Sequence, residues 1–333
     1  MDKHEAFLIA KKGASFLSKN IKENGMFVYG YNKNGNELKG YSILRHAGCI
    51  WSLLEVYKEI IKETADADSI WFAIEKTIDY LRNRHVWRQE HRMIVSEVGY
   101  IKLGGVALTM LALLRYTDQL KKSKYTKTAE QLGLYIRWCT EEDGNLINHK
   151  VDMRNGQPTD FVSEYYPGEC VLALCELHRK TKNKLALETA TSITRFLKKN
   201  RDDSIDIVQD HWLLQALEYL HYNQSIFSME FADYARMIGE HMITKNERYL
   251  SGVIRSTPIA CRSEGLLSYY NISKDPSILT FVEELLEKQK QFQILIGEHA
   301  GAFVEGEDSK KIRCDYTQHN ISSFIRFSKM KEE

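Results

Sequence analysis

The chain has 333 residues, enough to bury a large core in one big domain or two ordinary ones. With 43% hydrophobic and 27% charged residues and only 4 prolines, it has a globular composition that excludes disordered and fibrous classes. Its 46 basic and 45 acidic residues nearly cancel, so charge supplies no case for nucleic acid or an anionic membrane as partner.

From the amino terminus, MDKHEAFLIAKKG sets a short apolar stretch between charges and reads as neither a secretion signal nor a membrane span. Helical spacing of apolar residues predicts an amphipathic helix over roughly 4–22. The segment GMFVYGYNKNGNELKGYS then carries Asn-Gly turn chemistry and reads as a strand-like excursion. It leads into Arg45-His46-Ala47-Gly48 and the apolar run CIWSLLEVY. A second amphipathic helix is expected over roughly 67–83. The alternating stretch HRMIVSEVGYIKLG follows and ends at Leu103-Gly104-Gly105 before VALTMLALLRY.

The layout repeats. An amphipathic helix near 125–140 and the hairpin-like NLINHKVDMRNGQ precede Glu164-Tyr165-Tyr166-Pro167-Gly168-Glu169 and CVLALCELH. A helix near 184–200 precedes Asp210-His211-Trp212 and LLQALEYL. One near 227–244 precedes Arg262-Ser263-Glu264-Gly265 and LLSYY, and one near 276–291 precedes Asp315-Tyr316-Thr317-Gln318-His319 and NISSFIRF. Six greasy helices with polar starts therefore alternate with six amphipathic ones, about twelve helices or six hairpins. Apolar helices inside and amphipathic helices outside are what a closed two-layer helical ring requires, and small residues at the inner starts would allow close approach. The uneven spacing, roughly 40 to 60 residues between motif starts, favours that ring over a regular solenoid, which is the alternative. No linker divides the chain, so a single domain over 1–333 is expected.

Six hairpins with alternate helices buried resemble the (α/α)6 toroid, in particular the six-hairpin glycosidase-like group. That group includes unsaturated-glucuronyl hydrolases, sugar 2-epimerases, polysaccharide lyases and the helical part of glucuronyl C5-epimerases. The resemblance spans nearly the whole chain as a helix pattern, without a subfamily signature. It implies an all-α fold with small β-hairpins at the mouth of a carbohydrate pocket, where the inner helices begin. Terpenoid cyclases would call for an aspartate-rich motif at an inner-helix start, and none occurs; Asp202-Asp203 lies in a linker. Lanthionine cyclase-like proteins would call for a Cys-His dipeptide, which is absent.

The residues at the helix starts suit sugar chemistry. Glycoside hydrolysis uses one carboxyl as acid and another as base or nucleophile. The candidates are Glu164, Glu169, Asp210, Glu264 and Asp315, with Asp210 and Glu264 as the leading pair and Asp315 and Glu164 as substitutes. A helix start favours an ionised carboxylate, which makes Asp210 and Asp315 better bases than acids, although both also suit helix capping. His46, His211 and His319, with Tyr165 and Tyr166, support epimerase or lyase chemistry instead, since proton transfer beside a carbonyl needs groups that titrate near neutral pH. Arg45 and Arg262 could grip a carboxylate, while Tyr165, Tyr166, Trp212 and Tyr316, together with Trp87 and Tyr100, offer faces for sugar rings, and Gln318 offers an amide.

The expected function is a carbohydrate-active enzyme, foremost a glycoside hydrolase acting on an acidic or modified saccharide. The alternatives are an epimerase or lyase in the same pocket, and a non-enzymatic glycan-binding or scaffold protein. No cofactor is called for and no metal is assigned, although Cys261, Cys314 and His319 have the donor types of a zinc site. The six cysteines lack CxxC pairing and suggest a reduced, cytoplasmic protein.

Overall fold

Whether a helix is greasy all round or along one stripe decides which layer it occupies. The computed structural model describes residues 1–61, 64–89, 92–201, 208–223, 228–245, 250 and 252–330. Twelve helices occur among them. Residues of 202–207, and with them the Asp202-Asp203 pair, lie outside the described residues. The chain divides into two compact units, one formed by Met1–Tyr80 with Met242–Glu333 and the other by Leu81–His241.

In the first unit, α1 (Lys3–Lys19) buries one stripe, including Ala6, Ile9, Ala10, Gly13, Ala14 and Leu17. By contrast α2 (Ile43–Ile60) is buried continuously from His46 to Val56. The amphipathic α3 (Thr64–His85) comes next in the chain. Helices α10 (Ser256–Ser273) and α12 (Cys314–Ser328) are again buried on nearly every face, whereas α11 (Pro276–Lys290) buries Ile278, Val282, Leu285, Leu286 and Gln289 at helical spacing. Helix α12 packs on α1, α2 and α10, and α11 packs on α10. Close packing at the polar starts needs glycine: a Cβ on Gly48 of α2 would sit 2.8 Å from the Gln318 amide of α12.

The second unit repeats the scheme. Helices α4 (Leu103–Leu120), α6 (Tyr166–Thr181) and α8 (His211–Asn223) are the continuously buried ones. The one-sided helices are α5 (Thr126–Trp138) and α7 (Lys184–Arg201), and α9 (Ser228–Thr244) follows α8 in the chain. Helix α6 packs on α4, α7 and α8.

Two antiparallel sheets grow from the excursions. In the second unit β2 (Val86–Gln89), β3 (Arg92–Glu97), β4 (Tyr100–Lys102), β5 (Lys150–Asp152) and β6 (Gln157–Pro158) pair in chain order. Ile101 lies opposite Val151, joining the excursion before α4 to the one before α6. In the first unit β1 (Gly30–Tyr31) pairs with β8 (Ser309–Arg313), which pairs with β7 (Val304–Gly306). The β7–β8 hairpin immediately before α12 is an addition to the sequence reading. Its charged run, Glu305 to Lys311, masks the alternation that marked the other excursions.

Three inner helices end in an unexpected way. The residues closing α4, α6 and α10 are Lys121, Lys182 and Lys274, with φ of 52°, 59° and 59°. Their amides bond back to the carbonyls of Asp118, His178 and Tyr270. Glycine is the usual residue in this left-handed position because a Cβ crowds the following carbonyl. Replacing the exposed Lys182 by Gly is therefore expected to raise stability by about 0.5–1 kcal/mol in urea denaturation. A loss of stability would show that the lysine side chain makes a compensating contact.

Candidate active site

Polar residues at the start of a helix that is apolar all round have no solvated face to turn to, so they must find partners inside. In the first unit, Cys261 and Glu264 stand at i and i+3 on α10 and share a face. On α12, Asp315 and His319 stand at i and i+4, the spacing that suggested a structural pair. The two turn to different partners. Glu264 Oε1 lies 2.9 Å from His319 Nδ1, whereas Asp315 accepts from Arg45 Nε at 2.9 Å and from Arg313 Nε and Nη2 at 2.5 and 2.9 Å.

Glu264 is 0% exposed, and its Oε2 is buried without a hydrogen-bond partner among the described residues. Burial raises its pKa, with His319 opposing the rise. Burial also works against a charged His319, but the charges of Cys261 and Glu264 outweigh it and hold the imidazole well above its ordinary range. The proton of the pair thus sits on the imidazole near neutral pH. Cys261 is hydrogen-bonded to His319; burial lifts its thiol pKa while His319 pulls it down. The Cys261 residue is half-buried, whereas the other five cysteines are buried.

Around Asp315 a second network forms. Burial opposes its charge, yet Arg313 and Arg45 prevail and hold the carboxyl below the usual range. Arg45 Nη1 also donates to the Tyr29 hydroxyl at 2.7 Å. Arg313 lies over the Tyr316 ring, 4.4 Å from its centroid, and Tyr316 donates to Glu305 Oε1 at 2.8 Å. Arg45 is thereby engaged with a protein carboxylate, and Asp315 is clamped between two guanidiniums. His46 is buried against Phe27, Tyr41 and Tyr80, with Nε2 3.0 Å from the Thr77 carbonyl, which is the environment of a core histidine. Arg262 is buried and donates to the Pro258 carbonyl at 3.0 Å. Gln318 is buried, with its amide 3.4 Å from His319.

In the second unit, Asp210 immediately precedes α8 and is 0% exposed. Its Oδ1 accepts from the Leu213 amide at 3.0 Å, an N-terminal cap. Gly168 of α6 approaches so closely that a Cβ there would lie 2.2 Å from Asp210 Oδ2. Burial lifts the Asp210 pKa to about 6, against the lowering effects of Arg201 and of backbone amides. The helix start alone suggested an ionised base; desolvation wins because the carboxyl is wholly enclosed. His211 and Trp212 follow as buried neighbours with ring centroids 4.8 Å apart. Tyr166 is buried beside His149 and Phe161, and its phenol pKa is pushed up by burial and by Glu169 and Glu97. Tyr165 is exposed. Glu164 is exposed and borders a cleft of about 680 Å³, lined also by His149, Phe161, Asn200 and Arg201. On the sheet, Trp87 is exposed and Lys150 Nζ lies 4.0 Å over the Tyr100 ring.

The structure brings Glu264 with His319, and Arg45 with Asp315 and Tyr316, in the first unit; Asp210, His211, Trp212, Tyr165, Tyr166 and Glu164 belong to the second. Of the zinc donors considered from sequence, Cys261 and His319 meet, while Cys314 lies beside Cys49, whose Sγ is 3.7 Å from its carbonyl. Sequence reasoning passed over Arg313, Glu305 and Tyr29. Arg313 had a signal, standing two residues before Asp315; Glu305 and Tyr29 had none, because they arrive from separate strands and loops.

No protein-family model matches the sequence, and no curated protein matches it. Solved structures do. A sugar epimerase from a ruminal bacterium aligns over 100% of both chains at 15% identity with a TM-score of 0.74. A D-mannose isomerase aligns over 98% of both chains at 14% identity and 0.76. A family 76 glycoside hydrolase from a bovine Bacteroides thetaiotaomicron strain covers 98% of this chain and 79% of its own at 12% identity and 0.76. These likenesses show the fold, an (α/α)6 toroid with small strand hairpins.

The buried Asp210 carboxyl generates a pH prediction. Its folded pKa of about 6 exceeds the model-peptide value of 3.8, so the folded chain binds the proton more tightly. That stabilisation is present below about pH 4 and is lost as pH rises through about 6. The shift corresponds to about 3 kcal/mol. Asp210→Asn keeps a capping oxygen and removes the titration, so the stability of wild type relative to this variant should fall by up to that amount between about pH 4 and 7.5. Denaturation curves with a pH-independent difference would show that the carboxyl is solvated.

Proposed function

We propose that this chain is a carbohydrate-active enzyme that moves a proton on an open-chain sugar, as an epimerase or isomerase, with His319 as the proton-donating group. The observation that carries the reading is the enclosed His319–Glu264 pair at 2.9 Å. Epimerisation beside a carbonyl requires a base to take a proton from one carbon and an acid to return one, and a charged imidazole supplies the second near neutral pH. Glu264 fixes the ring orientation and keeps the imidazole charged until substrate takes the proton. Asp315 is already clamped by two arginines, so it is poorly placed to serve as a titrating acid or base. The similar structures of a sugar epimerase and a D-mannose isomerase support this class. Catalysis is assigned to the whole of 1–333 acting as one domain. The substrate is a small saccharide with a free carbonyl form. No helix of the described residues is long and apolar enough to cross a membrane, and six cysteines without CxxC spacing suit a reduced, cytoplasmic setting.

Glycoside hydrolysis is the second reading. It is favoured by the Asp210 carboxyl, lifted into the range of a proton donor, and by the family 76 glycoside hydrolase among the similar structures. Product chemistry separates the readings. Epimerisation or isomerisation in deuterium oxide incorporates deuterium at the carbon beside the carbonyl and creates no new reducing end. Hydrolysis creates a reducing end, and elimination creates an unsaturated ring. On a confirmed epimerisation or isomerisation substrate, His319→Gln should lower kcat by about 10²–10⁴-fold, with KM changing far less. Glu264→Gln should lower kcat and move the acid limb of the pH profile. His211→Ala tests the other histidine candidate in the same assay. Full activity in His319→Gln would remove the proposal, as would a hydrolytic product.

A further inference from the structure

The donor set beside His319 has a capacity that sugar chemistry does not require. A thiol, a carboxylate and an imidazole converge at Cys261, Glu264 and His319, and one donor atom from each lies within 4.8 Å of the others. We infer that these three side chains form a binding site for a zinc-like divalent cation.

The donor types argue first. Sulfur, imidazole nitrogen and carboxylate oxygen are the ligands that zinc accepts, at about 2.0–2.3 Å, whereas magnesium and calcium prefer oxygen alone. Donors around a tetrahedral ion of that bond length stand about 3.3–3.8 Å apart, so shifts of about 1 Å suffice to close the site. Charge argues second. With a dication bound, thiolate and carboxylate carry two negative charges beside a neutral imidazole. The occupied site is then electroneutral, so the ion leaves no net charge in an enclosed position.

Cysteine ligates as the thiolate and histidine as the neutral imidazole, so any proton they hold leaves to solvent as the cation enters. The Glu264 Oε2 atom, buried and without a hydrogen-bond partner among the described residues, supplies a lone pair already stripped of water. Access argues last, because the other five cysteines are buried and Cys261 is half-buried.

Binding is measured without any sugar, so the outcome stands apart from the proposed reaction. Untagged full-length protein, treated with chelator and reduced, is titrated with Co²⁺ and then with Zn²⁺ in competition. The expected result is one equivalent of Co²⁺, with intense thiolate-to-cobalt charge-transfer absorption in the near ultraviolet, bleached by one equivalent of Zn²⁺. Cys261→Ser should abolish that absorption, and Glu264→Gln should weaken binding at least about tenfold. Circular dichroism melts confirm that each variant is folded. In wild type, where no variant is needed, Zn²⁺ should protect Cys261 from iodoacetamide, read by mass spectrometry of its peptide. An unprotected Cys261 at saturating Zn²⁺ overturns the inference. So does charge-transfer absorption that survives in Cys261→Ser.

Discussion

A charge enclosed by helices must be met by an opposite charge or by aligned peptide dipoles, and the polar clusters of each unit depend on that constraint. The inner helices are apolar along their length, so ionisable groups are tolerated at their starts only where a partner is supplied. Glu264 has His319, and Asp315 has Arg45 and Arg313. Asp210 has backbone amides and the more distant Arg201, with its Oδ2 3.9 Å from the guanidinium. The three carboxyls answer the same problem in three ways, and their proton affinities diverge accordingly.

That divergence gives the groups different chemical capacities. Asp315 is held ionised by two cations and behaves as a fixed negative charge that organises Tyr29, Tyr316 and Glu305 around it. Asp210 has compensation too weak to offset burial, so it keeps its proton nearly to neutral pH while still capping α8. The Glu264–His319 pair has a movable proton between two enclosed groups, with a thiol alongside. A site that exchanges protons with a substrate needs the third arrangement and gains support from the first.

Much of the fold was legible in the sequence. The expected helices near 184–200 and 276–291 are observed as Lys184–Arg201 and Pro276–Lys290, because apolar periodicity is a local property that survives packing. The excursions before α2, α4 and α6 carry the expected strands, since Asn-Gly turns and alternation are local too. The left-handed lysines closing α4, α6 and α10 were not legible, because lysine has no preference for that conformation. Among the candidate residues, chain order marked the helix starts correctly but could not separate members that titrate from members that pack. His46 and His319 look alike in sequence; one lies against Phe27, Tyr41 and Tyr80, and the other faces a carboxylate.

The sequence by itself determined which segments are helical, which of them are buried all round, and that polar groups gather at the starts of the buried ones. These follow from side-chain spacing and hydrophobicity along a few turns of chain. Only the tertiary structure decided who meets whom: Arg313 and Arg45 on Asp315, Glu264 on His319 across 55 residues of chain, and Gly168 against Asp210. Such pairings depend on helix rotation and on approaches set to tenths of an ångström. Desolvation, which acts through distance and enclosure, then sets the charge of each group, and spacing along the chain carries no record of either.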